Sequence, residues 1–128
     1  MNGPLTTAPG ESTADEPGAT HDPEALHEVT AFCPRFHHAV ELVGRRWTGA
    51  ILRAMFAGRV RFTELAACIP GLSDRLLSER LKELEGEGVV ERLVFPETPV
   101  RIEYHLTEKG RALEPSVTEL STWAETWT

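Results

Sequence analysis

A mainly α fold carrying one small β-hairpin is what three features of this chain predict. Two short helical patterns meet at a Pro70-Gly71 turn, and two alternating β-rich runs follow, joined by the stiff loop Pro96-Glu97-Thr98-Pro99-Val100. A last apolar stripe recurs at helical spacing to the C-terminus. Short helices joined by a tight turn form a helix-turn-helix, and a hairpin projecting beside the second helix makes it winged. The expected architecture is therefore a winged helix-turn-helix, pairing into a homodimer through its terminal helices.

In chain order, residues 1–22 are rich in Pro, Gly, Thr, Ser and acids without apolar periodicity, the composition of a disordered acidic tail. Order is expected to begin near Pro23–Val29, as a short helix or arm. Phe36, Ala39, Val40 and Val43 then mark a helix over about Pro34 to Val43, with Pro34 tolerated in its first turn and Gly44 ending it. Thr48 is positioned to cap the next helix, whose stripe of Ile51, Leu52, Met55 and Phe56 closes at Gly58. Arg61 and Phe62 read as an extended link. Thr63 caps a third helix over Glu64 to Ile69, with Leu65, Ala66 and Ile69 inward.

Ser73 is the expected cap of the fourth helix, which Gly86 and Gly88 stop. Leu77, Leu81 and Leu84 lie on one stripe of a helix of period 3.6, so that stripe is buried. Arg75, Ser78, Glu79 and Lys82 fall on the opposite side, with Asp74 at the exposed N-terminal end. Such a face is either a solvated surface or a surface for a partner.

Val89 to Phe95 and Arg101 to Leu106 read as the two strands of the wing, and Arg101 at the base of its loop is the candidate for phosphate or minor-groove contact. Thr107 caps the final segment, in which Pro115 kinks or restarts a helix carrying Leu113, Val117, Leu120, Trp123 and Trp127. That stripe either packs on the chain's own core or forms an isologous seam, and the seam is preferred because dimers commonly read palindromic half-sites. Phe36 and Val40 are assigned to the same dimer interface. The expected division is a tail over 1–22, a DNA-binding domain over 23–112 and a dimerisation helix over 113–128.

The 128 residues suit a single modest core, with 41% hydrophobic residues and a formal net charge of −7. The charge is unevenly spread. Residues 1–32 hold six acids and no Lys or Arg, residues 33–82 hold nine bases against four acids, and residues 83–128 hold four bases against ten acids. A basic middle between acidic ends is compatible with nucleic acid despite the overall sign. Arg45 and Arg46, between two helices, and Arg61 and Lys82 are candidates for holding DNA backbone, a solvated basic surface being the alternative. No run of about eighteen apolar residues and no secretory signal pattern occurs, so the expected compartment is the cytoplasm, without a membrane.

The motifs exclude the common enzyme classes: there is no Gly-rich phosphate loop, no HExxH and no paired-Cys zinc spacing. Catalytic residues, metal ligands and cofactors are accordingly expected to be absent. Cys33, His37 and His38, with His21 and His27 upstream, approach a metal-ligand pattern but lack clear third and fourth ligands. Cys33 precedes the helix at Pro34 beside Arg35 and His37, a placement that fits a reactive thiolate, the alternative being a small residue packed at the dimer seam. Cys68, between Ala67 and Ile69, reads as a small buried filler.

Taken together, Cys33-Pro34, the run ELVGRRWTGAILRAMFAGRVRFTELAACIPGLSDRLLSERLKELEGEGVVER and the wing FPETPVRIEYHLTEKGRAL resemble the HxlR-type winged helix-turn-helix regulators of bacteria, over about Phe32 to Trp123. The resemblance implies a dimeric regulator of double-stranded DNA, a repressor or activator, often responsive to electrophiles, oxidants or aldehydes. It implies further that Ser73, Asp74, Arg75 and Ser78 read bases, that Arg101 acts from the wing, and that Cys33 stands where several members carry their sensing cysteine. The expectation is thus a homodimer on a palindromic operator, answering to a small electrophile, oxidant or other effector. The rival expectations are a winged-helix protein-interaction module, a regulator responding to a non-covalent small ligand, and an enzyme or metal-binding protein using Cys33 and the histidines.

Overall fold

The computed structural model describes residues 31–128, so the expectations for the tail, for the arm near Pro23–Val29 and for His21 and His27 lie outside the described residues. The chain divides into two units, the first ending at Glu41 and the second running from Leu42 to Thr128. Helix α1, Pro34–Val43, starts and stops where its apolar spacing and Gly44 place it.

The second unit is built on α2, Thr48–Phe56, which buries Ile51, Leu52 and Met55. Thr48 does not cap it. The capping position is Trp47, held at φ +78°, and that left-handed turn carries Thr48 into the first helical residue, where it is buried. Helix α3, Phe62–Cys68, begins two residues earlier than expected. The Glu64 carboxylate accepts the backbone N–H groups of Val60 and Arg61 at 3.0 and 3.1 Å, so the acid closes the helix start and Thr63 has no capping role. Leu65 and Ile69, four apart, take the inward stripe. Cys68 therefore falls outside it and is exposed, its thiol donating to the Leu65 carbonyl at 3.5 Å, which corrects the buried-filler reading.

Helix α4, Asp74–Gly86, is capped as expected, with the Ser73 hydroxyl accepting the Leu76 N–H at 3.1 Å. A cap of this kind contributes about 1 kcal/mol. Leu77, Leu81 and Leu84 are no more than 1% exposed and join α4 to the core around α2. Gly88, at φ +79°, makes the left-handed stop.

Strands β1, Val90–Phe95, and β2, Arg101–Leu106, pair antiparallel with Val90 opposite Leu106 and Phe95 opposite Arg101. The Tyr104 N–H also donates to the Val60 carbonyl at 2.7 Å, tying the hairpin to the link before α3. A single turn, α5, Glu108–Arg111, follows under a Thr107 cap, and α6, Glu114–Trp127, restarts with Pro115 in its first turn. Leu113 and Val117 pack inward, Val117 being 7% exposed. Those two residues of the expected seam are thus engaged by the chain's own core, while Leu120, Trp123 and Trp127 remain exposed.

Candidate nucleic-acid interface

Helices α3 and α4 with the turn Ile69–Ser73 form the helix-turn-helix, and the turn is possible because Gly71 adopts φ +86°. Anchoring of α4 by its leucine stripe leaves Asp74, Arg75 and Lys82 exposed and Ser78 half-exposed on the outer side. Arg75 pairs one turn along with Glu79, Nε to Oε2, at 3.2 Å, an exposed pair of small energetic weight. It holds the arginine along the helix surface without burying it. Both the stripe and the outward set match the helical period that predicts them.

The link before α2 is fastened to α4 in two places. Arg45 pairs with Glu83 at 3.3 Å. Arg80, which the apolar periodicity does not single out, is 8% exposed and donates from Nε to the Arg46 carbonyl at 2.9 Å and from an η-nitrogen to Glu83 at 3.3 Å. The Arg46 guanidinium lies 5.2 Å from the Trp47 ring, and it remains exposed. Of the expected backbone-holding residues, Arg45, Arg46, Arg61 and Lys82 are all exposed, Arg45 while pairing with Glu83.

Arg101 at the wing base is closely held. Its guanidinium donates to Glu97 at 2.8 and 3.3 Å and to Glu103, and it sits 4.0 Å from the centre of the Phe95 ring. The two carboxylates push the arginine further up its already basic range. In return, the hydrogen bond from Arg101 holds Glu97 below the usual carboxylate range, and bonds from His105 and then Arg101 do the same for Glu103. The His105 Nε2 lies 2.7 Å from Glu103. The wing base is therefore a closed Glu97–Arg101–Glu103–His105 chain, a rigid support for the loop.

In the first unit Cys33 is exposed just ahead of α1. The Phe36 N–H donates to its sulfur at 3.4 Å and the His37 N–H to its carbonyl at 2.9 Å, so the thiol occupies the cap position of the helix. His37 stands 3.4 Å from Glu41. Phe36 and Val40 are both exposed.

The HxlR-like helix-turn-helix family matches residues 42–128. The chain is 57% identical over 95 residues to YvaP, an HTH-type transcriptional regulator of Bacillus subtilis (strain 168), covering 74% of this chain and 88% of the relative. It is 47% identical over 93 residues to the transcriptional regulator YodB of the same organism, covering 73% and 83% of the two. YodB has been solved in a reduced form, with a TM-score of 0.68 at 46% identity over 75% of this chain and 94% of that one. It has also been solved quinone-bound, with a TM-score of 0.65 at 41% identity over 75% and 100%. The oxidized form of the redox regulator HypR superimposes with a TM-score of 0.70 at 36% identity over 75% and 98%.

Proposed function

The chain belongs to the HxlR-like helix-turn-helix family of transcriptional regulators, and from that premise we propose that it represses by binding a palindromic operator as a cytoplasmic homodimer. Ser73, Asp74, Arg75 and Ser78 face the base edges, and Arg46, Arg61 and Lys82 hold backbone on either side. The observation that carries this reading is α4 itself, capped, anchored by three buried leucines and turning its polar stripe outward beside a hairpin braced by Arg101. Two copies place their α4 helices in successive major grooves, about one turn of DNA apart.

Cys33 is the sensing thiol in this reading. Its exposure leaves the sulfur open to an electrophile, and quinone-bound YodB and oxidized HypR supply the class of effector. Addition to a quinone forms one S–C bond, the proton ending on the quinone oxygen. Reversible oxidation instead joins the sulfur to a second thiol. The test is binding to the DNA upstream of the chain's own coding sequence at several salt concentrations, before and after a quinone or a mild disulfide-forming oxidant, with Cys33→Ser alongside. Steep salt dependence, altered by the reagent in wild type and unaltered in Cys33→Ser, is the expected result. Equal responses of the two proteins would remove Cys33 from the switch, and binding without salt dependence would favour a protein-interaction module.

Dimerisation is carried by α6. Leu120, Trp123 and Trp127 are 62%, 56% and 72% exposed on one helix face, a contiguous apolar set suited to pairing with its own copy. Trp123→Glu is expected to weaken self-association by about 2–4 kcal/mol. Sedimentation equilibrium checks it: a variant as dimeric as wild type would move the seam elsewhere.

A further inference from the structure

One further surface feature lies where α4 meets the hairpin. A cleft of about 350 Å³ runs between them, lined by Ser78, Leu81, Lys82, Glu85, Arg92 and Tyr104. Arg92 and Tyr104 are directly opposed in the antiparallel register, so both side chains belong to one face of the hairpin. Ser78 and Lys82 belong to the same outward stripe of α4 as Arg75, at spacings of three and then four residues. The cleft therefore continues the helix face assigned to the major groove toward the hairpin that flanks it.

Charge makes the cleft distinctive. The other arginines of α4 and the one at the wing base are engaged: Arg75 with Glu79, Arg80 with Glu83, Arg101 with Glu97 and Glu103. Among the described residues Lys82 and Arg92 have no carboxylate within ion-pair distance, although Glu85 lines the same cleft. Two exposed cations are thus contributed by the two walls of one groove. Tyr104 lines the same cleft, its side chain packed against the core and its N–H bonded to the Val60 carbonyl, a held ring with a polar tip. Lysine, arginine, tyrosine and serine are the side chains that hold phosphate oxygens without reading sequence.

We propose that this cleft seats a backbone phosphate of DNA, held by Lys82 from α4 and Arg92 from β1, with the Tyr104 hydroxyl as a neutral donor. The assignment rests on the DNA-binding reading above and adds to it a contact indifferent to base sequence. Arg92 supplies the planar two-pronged contact and Lys82 the point charge. Glu85 repels a phosphate from its own part of the cleft and so confines the strand to the Ser78–Lys82 side.

The test uses the full chain with two duplexes of equal length, one from its own upstream region and one shuffled, titrated across a range of KCl concentrations. Two subunits sit on each duplex, so Arg92→Ala is expected to weaken both by the same factor, at least about tenfold, and to lower the slope of log affinity against log salt by about 2. Lys82→Ala does the same, the double variant lowers the slope by about 4, and Tyr104→Phe weakens binding with the slope unchanged. Arg75→Ala serves as contrast, changing the preference between duplexes. Arg92 is exposed, so its variant should melt with wild type. A steep wild-type slope that Arg92→Ala leaves intact overturns the phosphate seat alone. Weakening confined to the upstream duplex makes Arg92 a base reader and also overturns it. A wild type with no salt-dependent binding to either duplex removes the DNA-binding reading and the seat with it.

Discussion

Gly110→Ala is expected to destabilise the chain by at least about 3 kcal/mol, or to prevent folding. A methyl placed on Gly110 would stand 2.1 Å from the carbonyl oxygen of Val89 and 3.1 Å from a methyl of Leu106. No left-handed conformation is involved, so the requirement is purely steric: α5 lies with its backbone directly on the start of β1. The obstacle is backbone and cannot swing aside. Relief would need α5 to move off, breaking the Thr107 N–H to Val89 carbonyl bond at 3.0 Å and displacing α6, which follows within three residues. Gly86→Ala is the control, since the space around Gly86 is open and its position is helical, and it should be neutral or stabilising by up to about 1 kcal/mol. Urea denaturation of the three proteins decides it. A Gly110→Ala variant within about 0.5 kcal/mol of wild type would mean that α5 packs less closely than described.

What the sequence makes legible is what repeats. The leucines of α4, the span of β2 and the Ser73 cap each express a local pattern or a local bond, and each is found where the sequence places it, although β2 is half-buried along both faces rather than alternating. Gly110 has no such signature, because its role depends on a strand twenty residues earlier. Thr48 and Thr63 show the converse failure. Both are good capping types at plausible positions, but the left-handed Trp47 and the Glu64 carboxylate take over those helix starts. The outward set on α4 was visible from the period alone. The Lys82–Arg92 groove was not, because Arg92 joins it through strand register and through the docking of hairpin on helix.

Arg80 is the sharpest case, and its removal is the other large effect expected. It follows Leu77 by three residues and precedes Leu84 by four, so it borders the apolar stripe, and that spacing was the available signal for burial. The missing information was its acceptor, the Arg46 carbonyl 34 residues earlier. Arg80→Ala strands that carbonyl and takes one of two arginines from Glu83, at a cost of about 2–3 kcal/mol in urea denaturation. Arg80→Lys should recover only part of this, since a single ammonium cannot reproduce the guanidinium fork toward both acceptors. The variant also tests how α4 is positioned. Arg80 faces the link before α2 and touches no phosphate in this reading, so losing it should weaken DNA binding with the salt slope unchanged, unlike Arg92→Ala. A slope lowered by about 2 would instead make Arg80 a phosphate contact in each subunit, and the fastening of α4 to residues 45–46 would then rest on the exposed Arg45–Glu83 pair alone.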